Sequence, residues 1–238
     1  SSFMAKEISE EPEAVADTLR GRLRDGKVCF PGLALPDSAL AAVDRVLILA
    51  CGTASYAGMT ASYALERWVG VPVDVQLSHE FRYRDPVIGP RTLVVAVSQS
   101  GETMDTLMAT RYAQQQGAPV LAVCNTQGAT IAREADGVLY THAGPEVAVA
   151  STKAYSAQVA ALYLLGLYLG QLRETLSDAE RTDAVAELEA LPDRIQRALH
   201  ASERIPQMAH PMADTRAVLC PGRNVLYPVP LAAALMPT

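Results

Sequence analysis

Five short apolar runs, each followed by a polar turn and then by residues at helical spacing, constrain this chain more than anything else in it. The runs are Arg45–Ala50, Val71–Gln76, Thr92–Val97, Val120–Cys124 and Val138–Tyr140. Arg45–Ala50 is continuous rather than alternating, as in a strand buried on both faces. Between the runs lie helical patterns through Trp68, from Met104 to about Gln116 and near Thr130–Ala135, and after the last run a long apolar helix from Ser151 to Leu169. Strands alternating with helices predict a parallel sheet with right-handed crossovers, and ligands of such sheets bind at the carboxyl ends of the strands. The predicted class is therefore α/β: a five-stranded, flavodoxin-like parallel sheet flanked by helices.

The turns of that sheet hold the chemistry. Ser98-Gln99-Ser100-Gly101-Glu102-Thr103 joins the third run to its helix. At such a junction the first N–H groups of the helix have no internal partner and the helix dipole favours an anion. Hydroxyls and a side-chain amide add neutral donors, which suits a phosphate. Two further hydroxyl-bearing junctions, Thr53-Ala54-Ser55 and Ser151-Thr152, fall on the same side of the predicted sheet. No Gly-x-Gly-x-x-Gly or Walker lysine is present, so a nucleotide is the weaker reading.

Outside the sheet, residues 1–44 form an N-terminal segment with helical spacing at Ile8, Val15, Leu19 and Leu23. Pro12 suits its first turn, and Asp37 is a candidate N-cap for a short helix from Ser38 to Val43. Residues 45–172 hold the sheet and its helices, and 173–215 read as a helical connector broken at Pro192. Residues 216–238 open a second α/β unit, with Arg216–Cys220 strand-like and 217–235 weakly repeating 46–58. The chain has 238 residues, half of them apolar, and a formal net charge of -6. That balance argues against broad contact with nucleic acid or an anionic membrane. The N-terminus has no apolar signal core, so a cytoplasmic location is the default. Cys51 and Cys124 end apolar runs and read as small core residues. The cysteine spacings suggest neither a disulfide framework nor a metal site.

The segments Ile48–Thr53, Glu80–Arg84, Ser98–Thr103, Cys124-Asn125, Val149–Ala154 and Phe3–Ile8 together resemble the isomerase half of the glutamine–fructose-6-phosphate aminotransferase family, which is built of sugar-isomerase (SIS) subdomains. The resemblance runs in order from Phe3 to about Pro228. It implies that Ser98, Gln99, Ser100 and Thr103 hold the phosphate of a hexose 6-phosphate (fructose 6-phosphate or glucosamine 6-phosphate). It also implies that Thr53 and the backbone near Val149, with Ser151, contact the sugar, in a homodimer that uses no metal or other cofactor.

Three departures follow from the same resemblance. Ala54 replaces a family serine, with Ser55 as the candidate substitute. No glutaminase domain or Cys at residue 1 is present. The second SIS subdomain is nearly all missing, and Ala232 and Met236 stand where the family carries a catalytic Glu and Lys. Two functions therefore stand side by side: the isomerase region that makes glucosamine 6-phosphate, and a non-catalytic phosphosugar-binding module. Among other ionisable groups, Glu102 reads as complementing a helix dipole, Glu146 and Lys153 as surface charges, and His79 and His142 as loop residues. With the family pattern, Lys153 becomes structural and close to the site.

Overall fold

The structure is a computed structural model that describes residues 3–148, 150–202, 205–209, 215 and 217–235. Two helices, α1 (Phe3–Ser9) and α2 (Glu11–Leu19), open the chain, and Pro12 sits in the first turn of α2 beside Glu11 and Glu13. The next residues form a hairpin absent from the sequence-based expectation, β1 (Leu23–Arg24) and β2 (Lys27–Val28). Its turn is Asp25-Gly26, both at positive φ, +52° and +66°. A two-residue turn of that kind matches the twist of an antiparallel pair. The short helix α3 (Asp37–Ala41) is capped by Pro36, so Asp37 is its first helical residue rather than its cap. The Asp37 carboxylate instead accepts the Tyr168 hydroxyl at 2.6 Å.

The main sheet has five parallel strands: β3 (Arg45–Ala50), β4 (Val73–Leu77), β5 (Thr92–Ser98), β6 (Val120–Cys124) and β7 (Gly137–Tyr140), in the order β4-β3-β5-β6-β7. The crossovers are α4 (Thr53–Val69), α6 (Met104–Gln115) and α7 (Thr130–Glu134), with a short α5 (Ser78–Phe81) after β4. Period-two alternation divides β3, β5 and β6 between two cores. Val46, Ile48, Ala50, Val95 and Val97 face one layer with Leu65 of α4 and Leu162 and Leu165 of α8 (Lys153–Leu172). Leu47, Leu49, Val94 and Ala96 face the other, with Leu107 and Ala113 of α6 and with Phe81. Both faces of β3, β5 and β6 are buried, which is why these strands read as unbroken apolar runs, whereas the edge strand β4 carries Asp74 and Gln76 and is only partly buried.

Beyond α8, a full capping box between Ser177 and Glu180 starts α9 (Asp178–Glu189). Pro192 marks the first turn of α10 (Leu191–Ala201), so the predicted break is the junction of two helices. A short α11 (Ile205–Ala209) follows. Arg216 lies outside the described residues, and 217–220 are exposed and form no strand, contrary to expectation. A strand needs a neighbour for its N–H and C=O groups, and the main sheet ends at β4 and β7 without taking this segment up. The last element is α12 (Pro228–Ala233), where Ala232 is buried.

Candidate functional site

The strand order reverses between β3 and β5, so the loops leaving these two strands diverge and open a crevice at their carboxyl ends. Ala50 of β3 pairs in register with Val97 of β5, which puts Cys51-Gly52-Thr53 level with Ser98-Gln99-Ser100. Gly52, at φ +56°, turns the chain into α4, while Thr103 is the N-cap of α6.

The Ser98–Thr103 turn is built internally and tied to the next loop. Ser98 Oγ lies 3.0 Å from Thr103 Oγ1 and accepts the Gly101 N–H at 3.0 Å. Ser100 Oγ accepts the Glu102 N–H at 3.2 Å. The Gln99 and Gly101 carbonyls accept N–H groups of Asn125 and Ile131 at 3.1 and 3.0 Å. Gly101 is at φ +67°, and a Cβ there would stand 2.5 Å from Ala129 Cβ and 2.6 Å from Cys124 Sγ. Only glycine fits that close approach. Glu102 serves a different helix from the one expected: its carboxylate accepts the Thr130 N–H at 2.7 Å, at the start of α7. That bond holds its pKa below the ordinary carboxylate value.

A second loop closes the crevice. Glu146 does not behave as a solvated charge. Its carboxylate accepts the N–H groups of Thr152 and Ala154 at 2.8 and 3.2 Å and the Ser151 hydroxyl at 3.0 Å, so it caps α8 from within the preceding loop. Lys153 is buried, and its ammonium donates to Glu10 at 2.8 Å. The buried Glu7 carboxylate accepts N–H groups of Val147 and Ala148. Glu7 of α1 thereby fastens the loop that carries Ser151, and Glu10, the N-cap of α2, fastens the start of α8.

These elements enclose a cavity of about 210 Å³. Thr53, Ala54, Ser98, Gln99, Ser100, Thr103 and Ser151 all line it, so the structure brings together the residues singled out in the sequence; Val149 lies outside the described residues, as does Met236. Among the described lining residues Glu146 is the only charged one, and its carboxylate is already bonded. Ser55 does not stand in for the missing serine hydroxyl. It is buried, and its own hydroxyl donates to Gly52 O at 2.6 Å. Cys51 also lines the cavity and is only partly buried, with Sγ 3.8 Å from His79 Nδ1; Cys124 alone of the two is a core residue. His142 sits in a loop at φ +52°, its pKa lowered first by burial and then by Arg22.

Five lining residues were not expected at the site: Cys51, Val97, Glu146, Ala148 and Gln158. Nothing in Ala148 itself signals a site. Gln158 did carry a signal, as a polar residue on a run of α8 whose neighbours Ala157, Ala160, Ala161 and Leu162 are buried.

Comparison with known proteins bears on the family and the fold. The profile of the SIS domain family matches residues 39–168. A glutamine–fructose-6-phosphate aminotransferase (isomerizing) of Leifsonia xyli subsp. xyli is 62% identical over 235 residues, covering 98% of this chain and 38% of that protein. The chain thus spans well under half the length of such relatives. The solved C-terminal domain of glucosamine-fructose-6-phosphate aminotransferase from Francisella tularensis superposes with a TM-score of 0.94 at 35% identity, covering 99% of this chain and 66% of that one. Tagatose-6-phosphate ketose/aldose isomerase from Escherichia coli shares the fold, at a TM-score of 0.72 and 15% identity over 99% of this chain and 63% of its own.

Proposed function

The chain belongs to the SIS domain family, and on that footing we propose that it holds a hexose 6-phosphate, either fructose 6-phosphate or glucosamine 6-phosphate, in the cavity at the β3–β5 switch point. The observation that carries the reading is the convergence on one cavity of hydroxyls from three separate junctions, with Gln99 and no cation among the described lining residues. The hydroxyls of Ser98, Ser100 and Thr103 and the free N–H groups at the start of α6 donate to phosphate oxygens. Neutral donors and a helix dipole hold a dianion without a compensating charge in the site. Thr53, Ser151 and the backbone beside Val149 take the sugar.

In the wider reaction we place the chain in the amination of fructose 6-phosphate to glucosamine 6-phosphate, a step of hexosamine biosynthesis, on the strength of its identity to the aminotransferases. Moving a proton between adjacent sugar carbons needs a free acid or base. The Glu146 carboxylate is engaged by four donors of its own loop and the start of α8, so the contribution of these residues is to bind and orient. A cytoplasmic homodimer goes with this proposal. Four unpaired thiols suit a reducing compartment, and exposed Leu219, Leu226 and Tyr227 offer apolar surface for association.

The methyl groups of Ala54 and Ala232 favour a second reading, a phosphosugar-binding module without turnover. Incubation with fructose 6-phosphate and ammonium, followed by an assay for glucosamine 6-phosphate, separates the two. Product above background removes the binding-only reading. A melting temperature that neither sugar phosphate moves removes both.

A further inference from the structure

Gln158 forms part of the cavity wall, yet only 3% of its surface is exposed, and its Oε1 has no hydrogen-bond partner among the described residues. Of the lining residues that α4 and α8 supply, Ala54 offers a methyl group, which leaves Thr53 and Gln158 as the polar ones. A buried amide oxygen without a partner destabilises a fold, and an apolar side chain of the same shape removes that penalty. The helix around it is packed with alanine and leucine, so the fold itself does not call for an amide at this position.

We propose that Gln158 is a sugar-contacting residue of the cavity, receiving a hydroxyl of the ligand whose phosphate lies in the Ser98–Thr103 turn. The inference rests on the phosphosugar reading above. A carbonyl oxygen can only accept, so a phosphate dianion, itself an acceptor, cannot satisfy it. A hydroxyl can, because it donates and accepts. The terminal torsion of glutamine is broad and two-fold, and a half turn exchanges Oε1 and Nε2 within nearly the same volume. The amide therefore accepts from one hydroxyl and donates to its neighbour, which matches the adjacent hydroxyls of a polyol. The ligand class it selects is a polyhydroxylated phosphate rather than a phosphate alone.

The test uses Gln158→Met, which keeps an unbranched side chain of similar length, with Gln158→Leu as a second variant of the 238-residue chain. Calorimetric titration with fructose 6-phosphate and separately with inorganic phosphate is read beside the melting temperature without ligand. The expected result is an affinity for fructose 6-phosphate lower by about 3- to 10-fold, an unchanged affinity for inorganic phosphate, and a melting temperature that stays level or rises. Loss of binding with gain of stability is a signature that a purely structural glutamine would not give. Unchanged fructose 6-phosphate affinity in both variants overturns the role of Gln158 alone. So does an equal loss for both ligands, or a lowered melting temperature with affinity intact. If the unsubstituted chain binds neither ligand, the phosphosugar reading fails and this inference falls with it.

Discussion

The Glu7 carboxylate accepts the Val147 N–H at 2.6 Å across 140 residues of sequence, and its two oxygens also accept the Ala148 N–H at 3.2 and 3.3 Å. Ala148 lines the cavity, so a residue of the first helix sets the backbone of the loop that carries Ser151. Glu7→Ala leaves two N–H groups without their acceptor. The expected loss is about 1–3 kcal/mol of stability in urea unfolding, with weaker fructose 6-phosphate binding and intact phosphate binding. Glu7→Gln keeps an acceptor oxygen and recovers most of both. Equal behaviour of the two variants would contradict the clasp.

Lys153 and Glu10 give the same helices a titratable anchor. The Lys153 side chain is 5% exposed, and hydrogen bonds first from Lys153 and then from Lys6 bring the Glu10 pKa down from 4.5 to about 2. A carboxylate with a depressed folded pKa contributes stability that is full above its ordinary value and is lost as pH falls towards the folded one. The melting temperature is therefore expected to fall between about pH 4.5 and pH 2 partly through this pair. Glu10→Gln lowers stability at pH 7 and flattens the curve in that acid window. A Gln variant with the unsubstituted profile would show that the pair contributes nothing.

Gly101→Ala tests the packing beneath the Ser98–Thr103 turn. The new Cβ meets Ala129 and Cys124 at 2.5 and 2.6 Å in a left-handed backbone. The two effects together are expected to remove about 2–4 kcal/mol and to abolish phosphosugar binding in whatever fraction stays folded. A variant with normal stability and affinity would mean that the turn is looser than its contacts indicate.

How far the molecule could be read from its sequence follows from which interactions leave a local trace. β3 and β5 were legible because burial on both faces requires an unbroken apolar run, and the Ser98–Thr103 turn because hydroxyls cluster at a strand-to-helix junction. The Asp25-Gly26 hairpin carried its own turn signal, but two residues per strand give no periodicity to read. Glu7, Glu10 and Glu146 look like ordinary surface charges in sequence. Their roles come from partners that only the fold supplies, 140 to 143 residues away for Glu7 and Glu10 and in the turn into α8 for Glu146. Cys51 ends an apolar run as a core residue would, yet it stands at the mouth of the switch-point crevice, where the strand stops and the cavity begins.

The central claim is that the Ser98–Thr103 turn grips the phosphate of a hexose 6-phosphate. Calorimetric titration of fructose 6-phosphate into the unsubstituted chain and into the Ser98→Ala, Thr103→Ala double variant tests it most directly. Two hydrogen bonds to a charged group, at about 1.5–3 kcal/mol each, predict a loss of affinity of roughly 100-fold or more, with the far-ultraviolet dichroism of the sheet and helices unchanged. An equal affinity in the two proteins would contradict the account.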